Sequence, residues 1–299
     1  MPYFAPQPIA PVPFSPFSLN CNGRLLVVER PLVMGILNAT PDSFHAASRT
    51  SVEQVGGAAG AMESGGAKII DVGGMSSRPG AQLISAPEEM DRVIPVIEAV
   101  RAAAPAVVIS CDTIHAATAR AAVAAGAGMI NDISAGRFDD ELLATVAQLR
   151  VPYVLMHMPA ATPETMQQHV KDYGDKVVTH VWDFLAERLI RIRHLGVHDV
   201  IVDPGFGFGK SVDQNYTLLK NLHTFRYLGA PVLAGISRKG MIYKPLKTTP
   251  EESLPATAAL HLYALQQGAS ILRAHYVREA VQTVKLWRLL EEARLVGQT

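Results

Sequence analysis

Eight short apolar runs, each followed by a polar turn and a helical segment, predict a (β/α)8 TIM barrel. Two features of those runs support it. They are nearly continuous Val, Ile and Leu, as in parallel strands buried on both faces. Each also ends in a side chain that can hydrogen-bond or ionise, and barrels of this kind build their active sites at the C-terminal ends of the strands.

Taken in order, Asn22-Gly23 between two short apolar runs within 18–28 predicts a hairpin, laid as a lid across one end of the barrel. Strands follow at Val33–Asn38, Lys68–Gly74, Val107–Asp112, Met129–Ile133, Tyr153–Met158, Val200–Asp203, Pro231–Ser237 and Ile271–His275. Between them lie helical segments at Ser51–Gly65, weakened by Gly56, Gly57 and Gly60, and at Ala86–Ala102, opened by Pro87-Glu88-Glu89. Further helices are expected at His115–Ala125, Asp139–Leu149, Asp175–Leu195 and Asp213–Leu228. Pro250–Gly268 reads as helical but bent or split by Pro255, and Val277–Leu295 closes the chain. Residues 1–17 hold Pro2, Pro6, Pro8, Pro11, Pro13 and Pro16 and read as a flexible or surface-draped polyproline-like arm. No linker-like composition divides residues 18–299, which are expected to form one barrel domain.

Composition narrows the function classes. Lys and Arg total 27 and so do Asp and Glu, which argues against a dedicated nucleic-acid or anionic-membrane surface. Two cysteines among 299 residues do not make a disulfide framework and fit a reducing, cytoplasmic compartment. No apolar run reaches the roughly 18 residues of a membrane span, and the arm lacks the basic start and uninterrupted apolar core of a secretory signal.

The strand ends collect Asn38, Ser76-Ser77-Arg78, Asp112, Asn131-Asp132, His157, Asp203, Ser237-Arg238-Lys239, Arg273 and His275. Asp112, Asn131 and Asp203 are suited to a flat, nitrogen-rich heterocycle whose amino and ring N–H groups need acceptors. Arg78, Arg273, His275 and Asn38 offer donors and a metal contact for a phosphate-like anion, with Lys239 and Arg238 adding charge. Some polar residues have plainer readings. Asp139 and Asp213 read as helix caps, Glu88-Glu89 as a helix N-terminus, and His157 between two methionines fits a core position equally well. The glycine-rich 205–211 stretch fails as a phosphate loop, because the required first glycine falls on Pro204. No His-Glu-x-x-His or paired Cys-x-x-Cys occurs, so no tightly held transition metal is expected.

From about Ser18 to the C-terminus the chain resembles the dihydropteroate synthase family. The resemblance rests on Met34-Gly-Ile-Leu-Asn-Ala-Thr-Pro-Asp-Ser-Phe44, Asp71-Val-Gly-Gly74 with Ser76-Ser-Arg-Pro-Gly80, and Asn131-Asp132. It continues through Leu155-Met-His-Met158, Asp203-Pro-Gly-Phe-Gly-Phe-Gly-Lys210, Ser237-Arg-Lys239 and Arg273-Ala-His275. It implies joining of 6-hydroxymethyl-7,8-dihydropterin diphosphate to 4-aminobenzoate, with pyrophosphate leaving first. By the same resemblance Asp112, Asn131, Met156, Asp203 and Lys239 hold the pterin, and Asn38, Ser77, Arg78, Arg273 and His275 the pyrophosphate. Asn38 would also bind Mg²⁺. Phe208, Ser237 and Arg238 would lie near 4-aminobenzoate, with Arg78, Lys239, Arg273 and His275 the catalytic group. The family is typically homodimeric through its outer helices. The chain departs from the family pattern at His45-Ala-Ala-Ser48, at Met75 in place of a glutamate and at Tyr276 in place of an aspartate. A silent pterin-binding paralogue and a methyltetrahydrofolate-dependent methyltransferase-type barrel are the alternatives. The second leaves Arg273 and His275 without a purpose.

Overall fold

The computed structural model describes residues 13–39, 49–75, 83–160, 162, 165 and 171–293. Phe17–Cys21 (β1) and Arg24–Val28 (β2) form the expected antiparallel hairpin. Its turn residues Asn22 and Gly23 have φ of 54° and 81°, the left-handed pair that a two-residue hairpin turn requires. Eight parallel strands follow: Leu32–Asn38 (β3), Ile69–Gly73 (β4), Val108–Asp112 (β5), Met129–Asp132 (β6), Tyr153–Met156 (β7), Val200–Asp203 (β8), Leu233–Ala234 (β9) and Ile271–Ala274 (β10). They pair in the order β8-β7-β6-β5-β4-β3-β10-β9, and a parallel bridge between Val202 and Val232 joins the two edges. The sheet is a barrel, as the alternating pattern predicts.

The helices run Arg49–Ser64 (α1), Ala86–Ala103 (α2), Ala116–Ala125 (α3), Leu142–Leu149 (α4), Val177–His194 (α5), Val212–Lys220 (α6), Gly240–Leu246 (α7), Leu254–Gln266 (α8) and Val277–Glu292 (α9). Several differ from expectation for local reasons. Helix α6 ends at Lys220 and continues only as a 3-10 helix over Leu222–Leu228, because Asn221 leaves helical geometry. Pro255 neither bends nor splits its helix; it occupies the first turn of α8, where its missing N–H costs nothing. Helix α7 was not expected, since Pro245 and its seven-residue length hide it from periodicity. Asp213 is not a cap: Ser211 caps α6 in a reciprocal capping box with Gln214. Asp139 accepts from Glu141 N, and it also accepts from Ala116 N at 2.7 Å, at the start of the neighbouring helix α3. No helix of the described residues is long and apolar enough to cross a membrane.

Side-chain alternation divides the barrel into layers. Met34, Ile69, Val108, Met129, Val154, Ile201, Leu233 and Ile271, one from each strand, point inward and form an apolar plug with Leu19, Cys21 and Val28 of the hairpin. The hairpin therefore closes the N-terminal end of the barrel, as expected. It is latched there by the Arg24 guanidinium, which donates to the carbonyls of Pro105, Ala106 and Val107. The intervening residues, among them Val33, Ile70, Ile109, Ile130, Val202 and Leu272, point outward into the packing between strands and helices. Of the arm, residues 1–12 lie outside the described residues; Pro13 accepts a hydrogen bond from Arg226 and Phe14 packs on Phe17.

The loop after β8 turns sharply at Gly205, whose φ of 70° favours glycine and whose added Cβ would fall 1.9 Å from the His157 carbonyl oxygen. Gly205→Ala is expected to cost about 3 kcal/mol or more, combining left-handed strain with a backbone clash. That corresponds to a melting temperature lower by roughly 6–12 °C for a chain of this size. Gly57→Ala, in α1 and facing open space, should instead stabilise slightly. Equal melts for the two variants would show that the loop yields without strain.

Candidate active site

Two residues beyond the apolar plug, the inward positions change character. In place of Ile69, Met129, Ile201 and Ile271 stand Asp71, Asn131, Asp203 and Arg273, and Asp112 follows Val108 and Ser110 on β5. Strand register puts Asn38, Gly73, Asp112 and Asn131 side by side across β3 to β6, and Met156 beside Asp203 across β7 and β8. The C-terminal end of the barrel thus holds a polar floor on an apolar plug, as sequence alternation implies.

The floor is organised around Arg273. Its Nε donates to Asp71 Oδ2 at 2.6 Å and its Nη2 to Asp112 Oδ2 at 2.8 Å. Asp71 Oδ2 also accepts from Asn131 Nδ2 at 2.9 Å. Burial works against the Arg273 charge, but the two carboxylates outweigh it and hold the guanidinium above its ordinary range. Burial and the neighbouring Asp71 carboxylate push Asp112 up to about 8, with Arg273 pulling the other way. Asp112 thus keeps its proton into mildly alkaline solution.

Across the floor, Asp203 accepts from Gly205 N through Oδ1 at 2.7 Å, and burial raises its carboxyl above the usual range. Lys239, at the N-terminus of α7, donates to the Phe206 carbonyl and lies 4.7 Å from the centre of the Phe208 ring. Burial lowers its ammonium to about 8, against the attraction of Asp203. Ser237 is buried, and its Oγ lies 3.2 Å from both His275 N and His275 Nδ1. Arg238 adopts a left-handed φ of 57° and places its guanidinium 4.4 Å over the Tyr276 ring, whose hydroxyl donates to the Glu251 carbonyl.

The structure therefore brings Asp112, Asn131, Met156, Asp203, Lys239, Ser237, Arg273 and His275 to one end of the barrel, with Asn38 and Phe208 at its edge. Ser77, Arg78 and the 45–48 stretch lie outside the described residues. Other strand-end groups serve the fold. Asp132 accepts from Ser134 N, Gly136 N and Tyr153 Oη, ordering the turn after β6. His157 is a core histidine, edge-on to Phe184 at 4.9 Å, and burial drives its pKa well below 6.5. Glu88 lies in the first turn of α2, but Glu89 is turned inward and accepts from the Thr113 hydroxyl.

Two buried groups fall within the sequence motifs without having been singled out. Asp71 is the acid at an inward position of an otherwise apolar strand, which is the signal that marks it. Lys210 folds back to donate to Gly205 O at 2.8 Å and Phe208 O at 3.1 Å. Burial lowers its ammonium to about 7. With its ammonium turned onto its own loop, the glycine-rich stretch is no phosphate loop, in agreement with the sequence reading.

Among the described residues no group of three or more His, Cys, Asp and Glu side chains could cage a metal ion. The Asn38 amide, half-buried at the end of β3, supplies a single hard oxygen. The chemistry of that oxygen fits Mg²⁺ held largely by substrate phosphates and water.

Residues 34–275 match the family described as Pterin binding enzyme. A dihydropteroate synthase of Streptococcus pyogenes is 45% identical over 261 residues, covering 86% of this chain and 94% of that protein. One of Synechocystis sp. is 43% identical over 272 residues, covering 87% and 91%. Among solved structures, the Xanthomonas albilineans dihydropteroate synthase with 4-aminobenzoic acid superposes with a TM-score of 0.86 at 43% identity, covering 94% of this chain and all of that one. The same enzyme in complex with 7,8-dihydropteroate gives 0.82 at 41%, covering 93% and 100%. A polar floor of this composition in a barrel so closely matched leaves one assignment: the chain belongs to the pterin binding enzyme family, among the dihydropteroate synthases.

Proposed function

We propose that this chain condenses 6-hydroxymethyl-7,8-dihydropterin diphosphate with 4-aminobenzoate, giving dihydropteroate and pyrophosphate, on the floor organised by Arg273. The single observation that carries the residue assignment is the set of buried Asn131 and Asp203 with half-buried Asp112 and Lys239. It offers acceptors and one cation within a volume sealed below by apolar side chains. A pterin ring presents amino and ring N–H donors to such acceptors and a carbonyl to such a cation. The ring leaves its methylene diphosphate toward the rim, where Arg273, His275 and Asn38 provide donors, with Ser77 and Arg78 belonging to the same group.

The reaction breaks the methylene C–O bond, and the electron pair departs with pyrophosphate. The arylamine nitrogen then forms the C–N bond and releases its proton to solvent. The floor holds the ring so that it can delocalise the transient positive charge, and the rim cations take up the charge of the leaving group. Mg²⁺, when held by Asn38, would add charge neutralisation at the diphosphate. Phe208, Ser237 and Arg238 line the approach of 4-aminobenzoate. No residue is needed as a general base, because the arylamine is neutral at pH 7. Met156 packs beside Asp203 and gives the ring an apolar face.

Release of pyrophosphate, measured with and without 4-aminobenzoate, tests the assignment. Turnover that depends on the arylamine is expected. Tight binding of the pterin diphosphate without turnover would identify a silent pterin-binding paralogue. Asp203→Ala should weaken pterin binding by calorimetry roughly 100-fold, about 3 kcal/mol for a charged hydrogen-bond partner. Unchanged affinity would remove the ring from this floor.

The titrations give a pH dependence with a definite sign. Asp112 accepts from a ring N–H only after losing a proton it retains up to about 8, so affinity rises toward that pH. Lys239 loses its charge above about 8, so affinity falls beyond it. Pterin binding measured from about pH 6 to pH 10 should therefore peak near 8, and Asp112→Asn should flatten the acid limb. A monotonic profile in the parent protein would count against this pairing.

We also infer a homodimer. Leu286, Leu289 and Leu290, each 57% exposed, share one face of α9 at helical spacing, an apolar edge that a second copy would cover. Leu286→Asp with Leu290→Asp should lower the mass in sedimentation equilibrium to that of one chain; an unaltered dimer would place the interface elsewhere. A cytoplasmic location is supported by the two cysteines, both buried and free.

A further inference from the structure

Asp71 is fully buried and does not reach the open face of the site, yet it touches two groups that do. Its Oδ2 accepts from Asn131 Nδ2 at 2.9 Å and from Arg273 Nε at 2.6 Å. An ionised carboxylate can only accept. The face of the Asn131 amide turned toward Asp71 must therefore be its NH₂, whichever way the amide is drawn. The Asn131 carbonyl oxygen then faces the other way. Among the described residues it has no hydrogen-bond partner, and it is not one of the sealed, unsatisfied atoms. It is open to the site.

We propose that Asp71 is a positioning and specificity-determining residue, which locks Asn131 with its carbonyl oxygen toward the substrate and makes that point of the floor an obligate acceptor. The inference rests on the pterin reading and extends it to what selects the ring. A free asparagine can turn its amide and satisfy either a donor or an acceptor. One pinned by a carboxylate accepts only a ring edge that presents N–H. The same carboxylate oxygen fixes the Arg273 guanidinium through Nε and leaves Nη2 to Asp112. One buried oxygen thus sets the orientation of the acceptor beneath the ring and of the cation at its edge. The geometry also explains why Asp71 stands on β4 at all. An acid at an inward position costs several kcal/mol unless it is paired, and both of its partners belong to the site.

The test uses the full chain and two variants, with 6-hydroxymethyl-7,8-dihydropterin diphosphate and 4-aminobenzoate as probes. Asp71→Asn keeps shape but lets the Asn131 amide turn. The KM for the pterin diphosphate is expected to rise at least about 10-fold while that for 4-aminobenzoate stays within about twofold. In an Asn131→Ala background the same substitution should have a clearly smaller effect, because the group being oriented is gone. Full additivity, or equal changes in both KM values, would overturn the inference in favour of a purely structural carboxylate.

Asn131→Asp gives an independent reading should Asp71→Asn fold poorly. Two carboxylates can face each other there only with a proton between them. Pterin affinity relative to the parent protein should therefore fall as pH rises from about 6 to 9. Taking the ratio to the parent removes the part of the titration of Asp112, Arg273, Asp203, Lys239 and the nearby Glu89 that both proteins share, and what remains is the effect of the added carboxylate. A flat ratio would mean that Asp71 does not constrain position 131. Absence of pterin binding by the parent protein would remove the underlying assignment instead, and it shows in the first titration.

Discussion

The site is built on a partly buried ion cluster with an unequal count: one guanidinium, Arg273, between two carboxylates, the buried Asp71 and the half-buried Asp112. Removing one partner from a buried pair typically costs about 3–5 kcal/mol, because the other charge is left without compensation. The pair therefore ties β4, β5 and β10 together as firmly as it shapes the floor. Its geometry depends on the apolar plug below it. Met34, Ile69, Val108, Met129 and their counterparts exclude water from beneath, so the charges must satisfy one another and whatever enters from above. The hairpin completes that exclusion.

This layering explains which parts of the molecule could be read from the sequence. In a parallel strand buried on both faces, both alternating sets are apolar near the N-terminal end, and polar residues appear only where the inward set reaches the site. Asp112, Asn131, Asp203 and Arg273 sit at that transition, so the polar residues toward the end of each run locate them. Asp71 escapes the same reading because apolar Val72 follows it and hides the transition. Lys210 escapes because it lies in a loop whose glycines suggest a phosphate cradle. Its role appears only when the left-handed conformations of Gly205, Gly207 and Gly209 are seen to fold the loop so that the carbonyls of Gly205 and Phe208 come within its reach. Element boundaries failed where a local contact outweighs periodicity, as at Asn221, at Pro255 and in α7.

The capping residues follow the same logic. Sequence proximity assigns Asp139 and Asp213 to the helices they precede. For Asp213 a better competitor, Ser211, stands two residues earlier with Gln214 placed to return the bond. For Asp139 the decisive partner is Ala116 N, remote in sequence and brought close by packing of α3 against the turn before α4. Both residues are acids near helix starts, and only tertiary contact separates a local cap from a tie between neighbouring units.

The charges of the floor also limit the chemistry it can perform. Asp71, Asp112 and Asp203 stand against Arg273, Lys239 and Lys210, and burial lets Asp112 keep a proton while Lys210 sheds one near neutrality, so the empty site carries little net charge to give to a substrate. Such a floor suits a neutral ring that exchanges hydrogen bonds with fixed partners, and it resists a ligand bearing unbalanced charge at that depth. On the proposed reading a diphosphate projects toward the rim, beyond the balanced layer, where Arg273, a fifth exposed, can meet it. On the proposed reading, positive charge developing on the ring meets carboxylates already in place, while the departing anion meets cations at the rim. The barrier is lowered because these dipoles and charges need no rearrangement as the bond breaks. On the proposed assignment, rigidity of the Asp71–Arg273–Asp112 arrangement belongs to the catalytic apparatus, although Asp71 itself touches no reacting atom.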